Sequence, residues 1–340
     1  MRYLLTGATG FIGGRVARQL REAGHEVLAL VRDPGRARSL DDLGVRLAVG
    51  ELGDRDSLRA AMRGVEGVFH IAGWYHIGTR DKRPAQATNV EGTRSVLEAM
   101  RELGIRRGVY TSTLAVNSDT RGRLVDESYR YEGRHLSVYD RTKAEAHRLA
   151  GEFIARGLPL IVVMPGLVYG PGDSSNVRST LLQYLRRRLP LAPSRTAFSW
   201  AHVEDVARAH LLAMEKGRPG RSYMICGPTH TLVEALEIAR GITGLPLPPI
   251  VPPWVLKLLA AGMALGERLL PVPDAFTAEG LRVAAGTTYI GDNGRARREL
   301  GWEPRGLEEG LRETLAYEMR LLGLPGQGQA GQPGPPGAGG

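Results

Sequence analysis

Tyr139 and Lys143 stand four residues apart in the run Ser137-Val138-Tyr139-Asp140-Arg141-Thr142-Lys143. On a helix that spacing puts a phenol and an ammonium on one face. A free tyrosine titrates near pH 10, too high for a base at neutral pH. A neighbouring cation favours the phenolate and brings the group towards proton transfer. The spacing is common by chance, and an exposed surface pair is the plain alternative. Its weight comes from what else the chain carries.

The strand-like run Tyr3-Leu4-Leu5-Thr6 leads into Gly7-Ala8-Thr9-Gly10-Phe11-Ile12-Gly13, followed by an amphipathic pattern. Glycines three apart between a strand and a helix serve a tight turn, close backbone approach to a pyrophosphate, and close packing of helix on strand. The helix opening near Phe11 aims its free N–H groups at phosphate. Gly7, Thr9, Gly10, Phe11, Ile12 and Gly13 are therefore candidate dinucleotide contacts. The second strand ends Leu30-Val31-Arg32-Asp33-Pro34. A site for NAD usually has a carboxylate where Val31 stands. Arg32 follows, and a guanidinium pairs well with a 2′-phosphate. NADP is the expected cofactor and NAD the alternative, the latter with Asp33 on the ribose.

Placing these groups requires alternating strands and helices. Strand candidates are 3–6, 26–32, 46–49, 67–71, 108–112 and 160–164; helix candidates are 12–23, 36–43, 57–62, 85–103 and 138–156. The alternation predicts an α/β fold, a Rossmann-type doubly wound parallel sheet with a smaller C-terminal substrate lobe. Ligands then lie beyond the carboxyl ends of the strands. A hydroxyl at the end of the fifth strand, in Tyr110-Thr111-Ser112-Thr113-Leu114, would donate to a substrate oxygen beside the tyrosine. The expected organisation is a dinucleotide-binding domain over 1–164 and a substrate-binding lobe over 165–323, partly interleaved with the sheet. Residues 324–340, rich in Gly, Pro and Gln and without charge, read as a disordered tail.

The 340 residues carry a formal net charge of +9, 42% hydrophobic and 24% charged residues, ordinary globular values. Acids alternate with arginines along helix faces, so nucleic-acid binding is not expected. Arg186-Arg187-Arg188 reads as a surface turn, with attraction of an anionic substrate as the sharper reading. The single cysteine, Cys226, lies in an apolar run; it reads as a packed residue of a protein in a reducing compartment, the cytoplasm. The apolar stretch 254–265 is shorter than the roughly 20 residues that cross a bilayer. It reads as a core or lid helix, with loose membrane contact as the lesser reading. No histidine or cysteine spacing suggests a metal.

Taken together, TGATGFIGG at the start, FHIAG (69–73), NVEGT (89–93), YTST (110–113), YDRTK (139–143), PGLVYGPGD (165–173), HVEDVARAH (202–210) and ELGWEP (299–304) resemble the extended short-chain dehydrogenase/reductase family, the NAD-dependent epimerase/dehydratase superfamily. The likeness spans roughly residues 1 to 320. It implies that Tyr139 is the catalytic acid/base, that Lys143 holds the nicotinamide ribose and lowers the tyrosine pKa, and that Thr113 supplies the catalytic hydroxyl, with Ser112 the second choice. Ala72 and Gly73 resemble backbone contacts to the cofactor, Asn89 a helix residue supporting the site, and Pro165 part of the nicotinamide pocket. Glu51 stands where the family usually has an aspartate near the adenine, and Leu52 would pack on the ring. The resemblance also implies a homodimer.

Within the family the V-R-D-P ending at 31–34 is similar to dihydroflavonol and aldehyde reductases, which reduce carbonyls. A sugar epimerase and a non-catalytic dinucleotide sensor are the other readings. Leu114-Ala115 replace the acidic pair of the 4,6-dehydratases. Phe198 stands where nucleotide-sugar enzymes carry an arginine, although Arg195 could reach in. A small, fairly apolar substrate is the expectation. Trp74, Tyr75 and His76 either line its mouth or form a packed loop.

Overall fold

The computed structural model describes residues 1–78, 81–266 and 277–324. Seven strands form one parallel sheet: β1 (Arg2–Thr6), β2 (Glu26–Val31), β3 (Arg46–Val49), β4 (Gly67–His70), β5 (Gly108–Thr111), β6 (Leu160–Pro165) and β7 (Ser222–Ile225). Their spatial order is β7-β6-β5-β4-β1-β2-β3. This is the Rossmann-type doubly wound order, and the chain reverses direction across the sheet between β1 and β4. A crevice opens beyond their carboxyl ends at that switch point.

The strands are apolar on both faces because helices cover both. Side chains alternate in direction along a strand. Val27, Ala29, Val31, Phe69, Ile161 and Val163 face α1 (Phe11–Glu22) and, downstream, the helix Val203–Lys216. Leu28, Leu30, Val68, Leu160 and Val162 face the opposite layer. That layer holds α2 (Arg55–Met62), α3 (Thr93–Glu102) and α4 (Val138–Ala155). Helix α1 buries Gly13, Val16, Ala17 and Leu20, a 3.6-residue stripe.

Two expected helices are more finely divided. The stretch expected as helix 36–43 is a 3₁₀ turn, Pro34–Arg36, and one helical turn, Arg38–Asp41. Asp33 caps the first by accepting from the Gly35 N–H, and Gly44 at φ +67° ends the second. The helix expected over 85–103 carries a π-helical segment, Gln86–Gly92, between Arg83–Ala85 and α3. Strand β7 was not among the expected strands: its apolar run pairs in register with β6, and Cys226, just past it, is fully buried.

The remaining elements pack beside the carboxyl end of the sheet. Strand Ala197–His202 pairs with Leu167–Tyr169, Thr229–Thr231 and Thr288–Tyr289. Helices Asn176–Leu185, Leu232–Thr243 and Leu307–Leu321 close a core around Tyr169 and Trp200. At the junction, Arg305 forks onto the Asp205 carboxylate, and Trp302 donates its indole N–H to the Asp205 carbonyl. Of the expected tail, 324–340, all but Leu324 lies outside the described residues.

Candidate active site

The turn after β1 has no room for side chains at two glycines. Gly7 adopts φ +76°, and a Cβ there would lie 2.6 Å from the Ala72 nitrogen. A Cβ on Gly13 would lie 2.0 Å from the Gly7 carbonyl oxygen. Gly10 is the N-cap of α1, and no side chain caps that helix. The caps of α2 and α4, by contrast, are filled by Asp54 and Ser137. The first-turn N–H groups at Phe11, Ile12 and Gly13 thus lack a side-chain acceptor, and an N-terminus of this kind suits a pyrophosphate. Thr9 and Gly10 are exposed beside it. This cradle fits a dinucleotide.

The crevice floor is a hydrogen-bonded row. Thr6, at the end of β1, meets His70 Nδ1 at 2.9 Å, and His70 Nε2 meets Thr93 at 3.0 Å. Burial, reinforced by Lys143, pushes the His70 imidazole down to about 3, so the ring is neutral. Ala72 donates its N–H to the Thr6 hydroxyl (3.3 Å), and Gly73 is exposed just beyond it.

Helix α4 begins at Ser137, whose hydroxyl accepts from the Asp140 N–H. It carries Tyr139 and Lys143 to the end of β5. Lys143 is buried; its Nζ donates to the Thr111 carbonyl at 2.7 Å and lies 5.0 Å from the centre of the Tyr110 ring. Burial pushes its pKa down to about 7. The Thr113 hydroxyl accepts from the Ala115 N–H at 3.2 Å and acts to lower the Tyr139 pKa. The Ser112 hydroxyl is instead engaged by His147 Nδ1 at 2.9 Å. Of the two hydroxyls at this strand end, Thr113 is the one that bears on the tyrosine's pKa.

In the chain's own groups, burial raises the Tyr139 pKa; Thr113 opposes the rise and Asp140 adds to it. The Lys143 ammonium is directed at a backbone carbonyl. In these surroundings the phenol is held protonated.

The supporting contacts come from several elements. Asn89, within the π-helical segment, accepts from the Trp74 N–H (2.7 Å) and donates to the Trp74 carbonyl and to Thr142 on α4. A single amide thus ties the loop after β4 to α4. His210 Nε2 meets the Thr111 hydroxyl at 2.8 Å, and Nδ1 meets the Val206 carbonyl at 2.7 Å. Neither histidine bond was foreseen. The second histidine of HVEDVARAH was the only sequence signal of the His210 bond.

Three tyrosines and two carboxylates surround the helix start. The Tyr75 ring meets Tyr139 edge to face at 4.8 Å, whereas Trp74 tilts against His76. Tyr289 donates to the Asp140 carboxylate at 3.0 Å and stacks on Phe198. Burial pushes the Asp140 carboxyl up to about 7. Glu279 accepts from the Val138 N–H (2.8 Å) and pairs with Lys82.

At the far end of the crevice, Arg32 is exposed after β2, while the Asp33 carboxylate is taken by the Gly35 N–H at 2.9 Å. Glu51 is exposed after β3, and Leu52 packs at the rim of the α2–α3 core. Pro165 is buried at the end of β6, beside Ile225. The candidates thus fall along one line, from Arg32, Glu51 and Leu52 through the glycine turn to Ala72, Gly73, Thr113, Tyr139, Lys143 and Pro165, all at carboxyl ends of sheet strands or on elements that follow them. Among the described residues no group of histidine, cysteine, aspartate and glutamate is arranged to hold a metal ion.

The model of the NAD dependent epimerase/dehydratase family matches residues 3–226. The chain belongs to that family. It is an enzyme of the extended short-chain dehydrogenase/reductase type, dependent on a nicotinamide dinucleotide. It is similar to sterol demethylase protein B of Methylococcus capsulatus, 32% identical over 93% of this chain and 98% of that protein. It is also similar to the 4-hydroxy-2-methyl-3-oxo-4-farnesyl-3,4-dihydroquinoline-1-oxide ketoreductase of Stigmatella aurantiaca, 31% identical over 98% of both chains. The crystal structure of gox2253 superposes with a TM-score of 0.83 at 30% identity, covering 94% of this chain and 98% of that one.

Proposed function

We propose that the enzyme reduces the carbonyl group of a small, fairly apolar substrate, with NADP(H) as cofactor, and that Thr113, Tyr139 and Lys143 are its catalytic residues. The observation that carries this reading is that one helix brings the Tyr139 phenol and the buried Lys143 ammonium, the latter fixed to Thr111, to the end of β5 at the switch-point crevice.

The cofactor would lie against Gly7, Thr9, Gly10, Phe11, Ile12 and Gly13, with Arg32, Glu51 and Leu52 at the adenosine end and Ala72, Gly73, Tyr139, Lys143 and Pro165 towards the nicotinamide. When bound, it supplies the hydride. Thr113 and Tyr139 hydrogen-bond the substrate's carbonyl oxygen, which polarises the bond and orients its carbon. As negative charge develops on that oxygen, the two hydroxyls stabilise it. Tyr139 then passes its phenolic proton to the oxygen, giving the alcohol. Lys143, tied to Thr111, sets a cation behind the crevice floor to stabilise the resulting phenolate.

NADP is favoured over NAD by the free Arg32 guanidinium and the occupied Asp33 carboxylate. The apolar substrate is favoured by the Phe198–Tyr289 stack at the position where a nucleotide-sugar enzyme would carry an arginine, with Arg195 exposed. Residues 165–323 would supply this substrate side. The name of the Stigmatella relative, a ketoreductase of a farnesylated ring, agrees with such a substrate. Cytoplasmic residence rests on the single buried cysteine, and a homodimer on the family resemblance. An epimerase is the second reading, favoured by the family to which the chain belongs.

The test is to titrate NADPH and NADH separately and then screen aldehydes, ketones and nucleotide sugars. Net oxidation of the reduced cofactor by an apolar carbonyl supports the reductase. Isomerisation of a sugar nucleotide without net oxidation would establish the epimerase instead.

A further inference from the structure

The helix Pro253–Gly266 is packed on one side only. Leu256 and Ala260 bury against Leu281 and Ala285, with Met263 in the same row. On the other side Trp254 and Leu258, one turn apart, are 61% and 65% exposed, and Leu259 is 46% exposed. Ile250, 47% exposed, extends this face just ahead of the helix. Exposed apolar groups scattered singly are ordinary; a Trp/Leu row on one helix is not.

Its surroundings are cationic. Residues 174–203 and 238–266 contain no aspartate or glutamate. The two segments are joined in space, because Ala192–Pro193 pairs with Ile250–Val251. Arg186, Arg187 and Arg188 are exposed a few residues before that pairing, and Lys257 is exposed on the helix itself. Arg195 sits at the helix base, where Gly286 lies against both its Cβ and Pro253. Among the described residues none of these five cations has a carboxylate partner within 4.0 Å.

We propose that this face docks the enzyme on an anionic lipid bilayer, with Trp254 and Leu258 entering the headgroup boundary and the arginines meeting lipid phosphates. A tryptophan–leucine face with Lys257 on the same helix and Arg195 at its base is the chemistry of an interfacial helix. No helix among the described residues is long and apolar enough to span a membrane, so the contact is peripheral. The docking helix packs on Ala278–Ala284, whose Glu279 holds the start of α4, so the bilayer would lie on the substrate side. Docking goes beyond the proposed reduction and does not require it.

The full-length protein is floated with phosphatidylglycerol–phosphatidylcholine vesicles and with pure phosphatidylcholine vesicles. Binding to the anionic vesicles is expected, weakened by salt. It should fall roughly tenfold in Leu258→Glu and in the triple variant Arg186→Gln/Arg187→Gln/Arg188→Gln. Both variants keep the wild-type circular dichroism and cofactor affinity. Absence of binding to anionic vesicles overturns the proposal, as does equal binding to both vesicle types. A dimer in light scattering that Leu258→Glu dissociates, without vesicle binding, assigns the face to a second copy instead. Cofactor affinity is read separately, so docking can fail while the reductase assignment stands.

Discussion

The Lys143 ammonium is fastened to the Thr111 carbonyl at 2.7 Å, and the hydroxyl of the same threonine is held by His210 at 2.8 Å. The lysine's position therefore depends on a histidine sixty-seven residues further along the chain. His210→Leu should leave the buried Thr111 hydroxyl without a partner. A loss of about 1–3 kcal/mol in denaturant unfolding is expected, with a drop in turnover. His210→Gln, which keeps an acceptor, should recover part of both. Unchanged unfolding in the leucine variant would show that the bond contributes nothing.

Replacing Tyr139 with Phe removes the proton donor and keeps the ring that packs on Tyr75. Turnover should fall by about 10²–10⁴-fold, the usual size of acid–base catalysis. Cofactor affinity, read by fluorescence titration, should stay near wild type. Thr113→Ala should lower kcat less and leave binding likewise intact. Near-normal turnover of an identified substrate by Tyr139→Phe would remove the phenol from the mechanism.

Much of this arrangement is legible in the chain because it is local. The glycine turn, the Tyr139–Lys143 spacing and the six expected strands each depend on residues a few positions apart. What was not legible is long-range. Glu279 accepting from Val138, Tyr289 donating to Asp140 and His210 holding Thr111 each join residues about 100 or more apart. Strand β7 was missed for a related reason: Ser222 and three apolar residues become a strand only because β6 offers an edge. The π-helical segment at Asn89 has no periodic signature, since it interrupts an otherwise regular helix.

The glycines separate steric need from mere occurrence. A Cβ at Gly13 would lie 2.0 Å from the Gly7 carbonyl oxygen, a backbone atom that cannot swing aside. At Gly14 the nearest such atom, the Ala8 carbonyl oxygen, is 3.5 Å away, an ordinary contact. Gly13→Ala should abolish dinucleotide binding and lower Tm. Gly14→Ala should bind normally and gain up to about 1 kcal/mol from helix propensity. Calorimetric titration and thermal melts of the two variants check the contrast; equal behaviour would contradict the geometry.

Asp140 should make stability depend on pH in a defined direction. Its carboxyl is raised by burial from 3.8 to about 7, so between those values the folded state binds a proton that the unfolded state has released. Stability then falls as pH rises through that window. The cost is absent below the unfolded value and fully present above the folded one. Asp140→Asn should therefore gain in Tm relative to wild type as pH rises from about 4 to about 7, and the difference should then level off. The neutral buried histidines act oppositely in both proteins and cancel in the comparison. A pH-independent difference would mean that the carboxyl does not titrate in this range.

On the proposed reading, Arg32 distinguishes two cofactors that differ by one phosphate. It is exposed directly after β2, with Val31 where an NAD site would have its carboxylate and with Asp33 occupied by Gly35. A guanidinium there meets the 2′-phosphate of NADP, whereas a carboxylate repels it and accepts from the ribose hydroxyls of NAD. Removing a charge-assisted contact of this kind costs about 1.5–3 kcal/mol. Arg32→Ala should thus weaken NADPH roughly tenfold to a hundredfold and leave NADH nearly unchanged. Val31→Asp combined with Arg32→Ala should go further and invert the preference, because it adds the missing acceptor while removing the cation. Parallel fluorescence titrations with both cofactors read the ratio directly. If Arg32→Ala weakens the two cofactors equally, the arginine does not read the phosphate, and the NADP assignment falls.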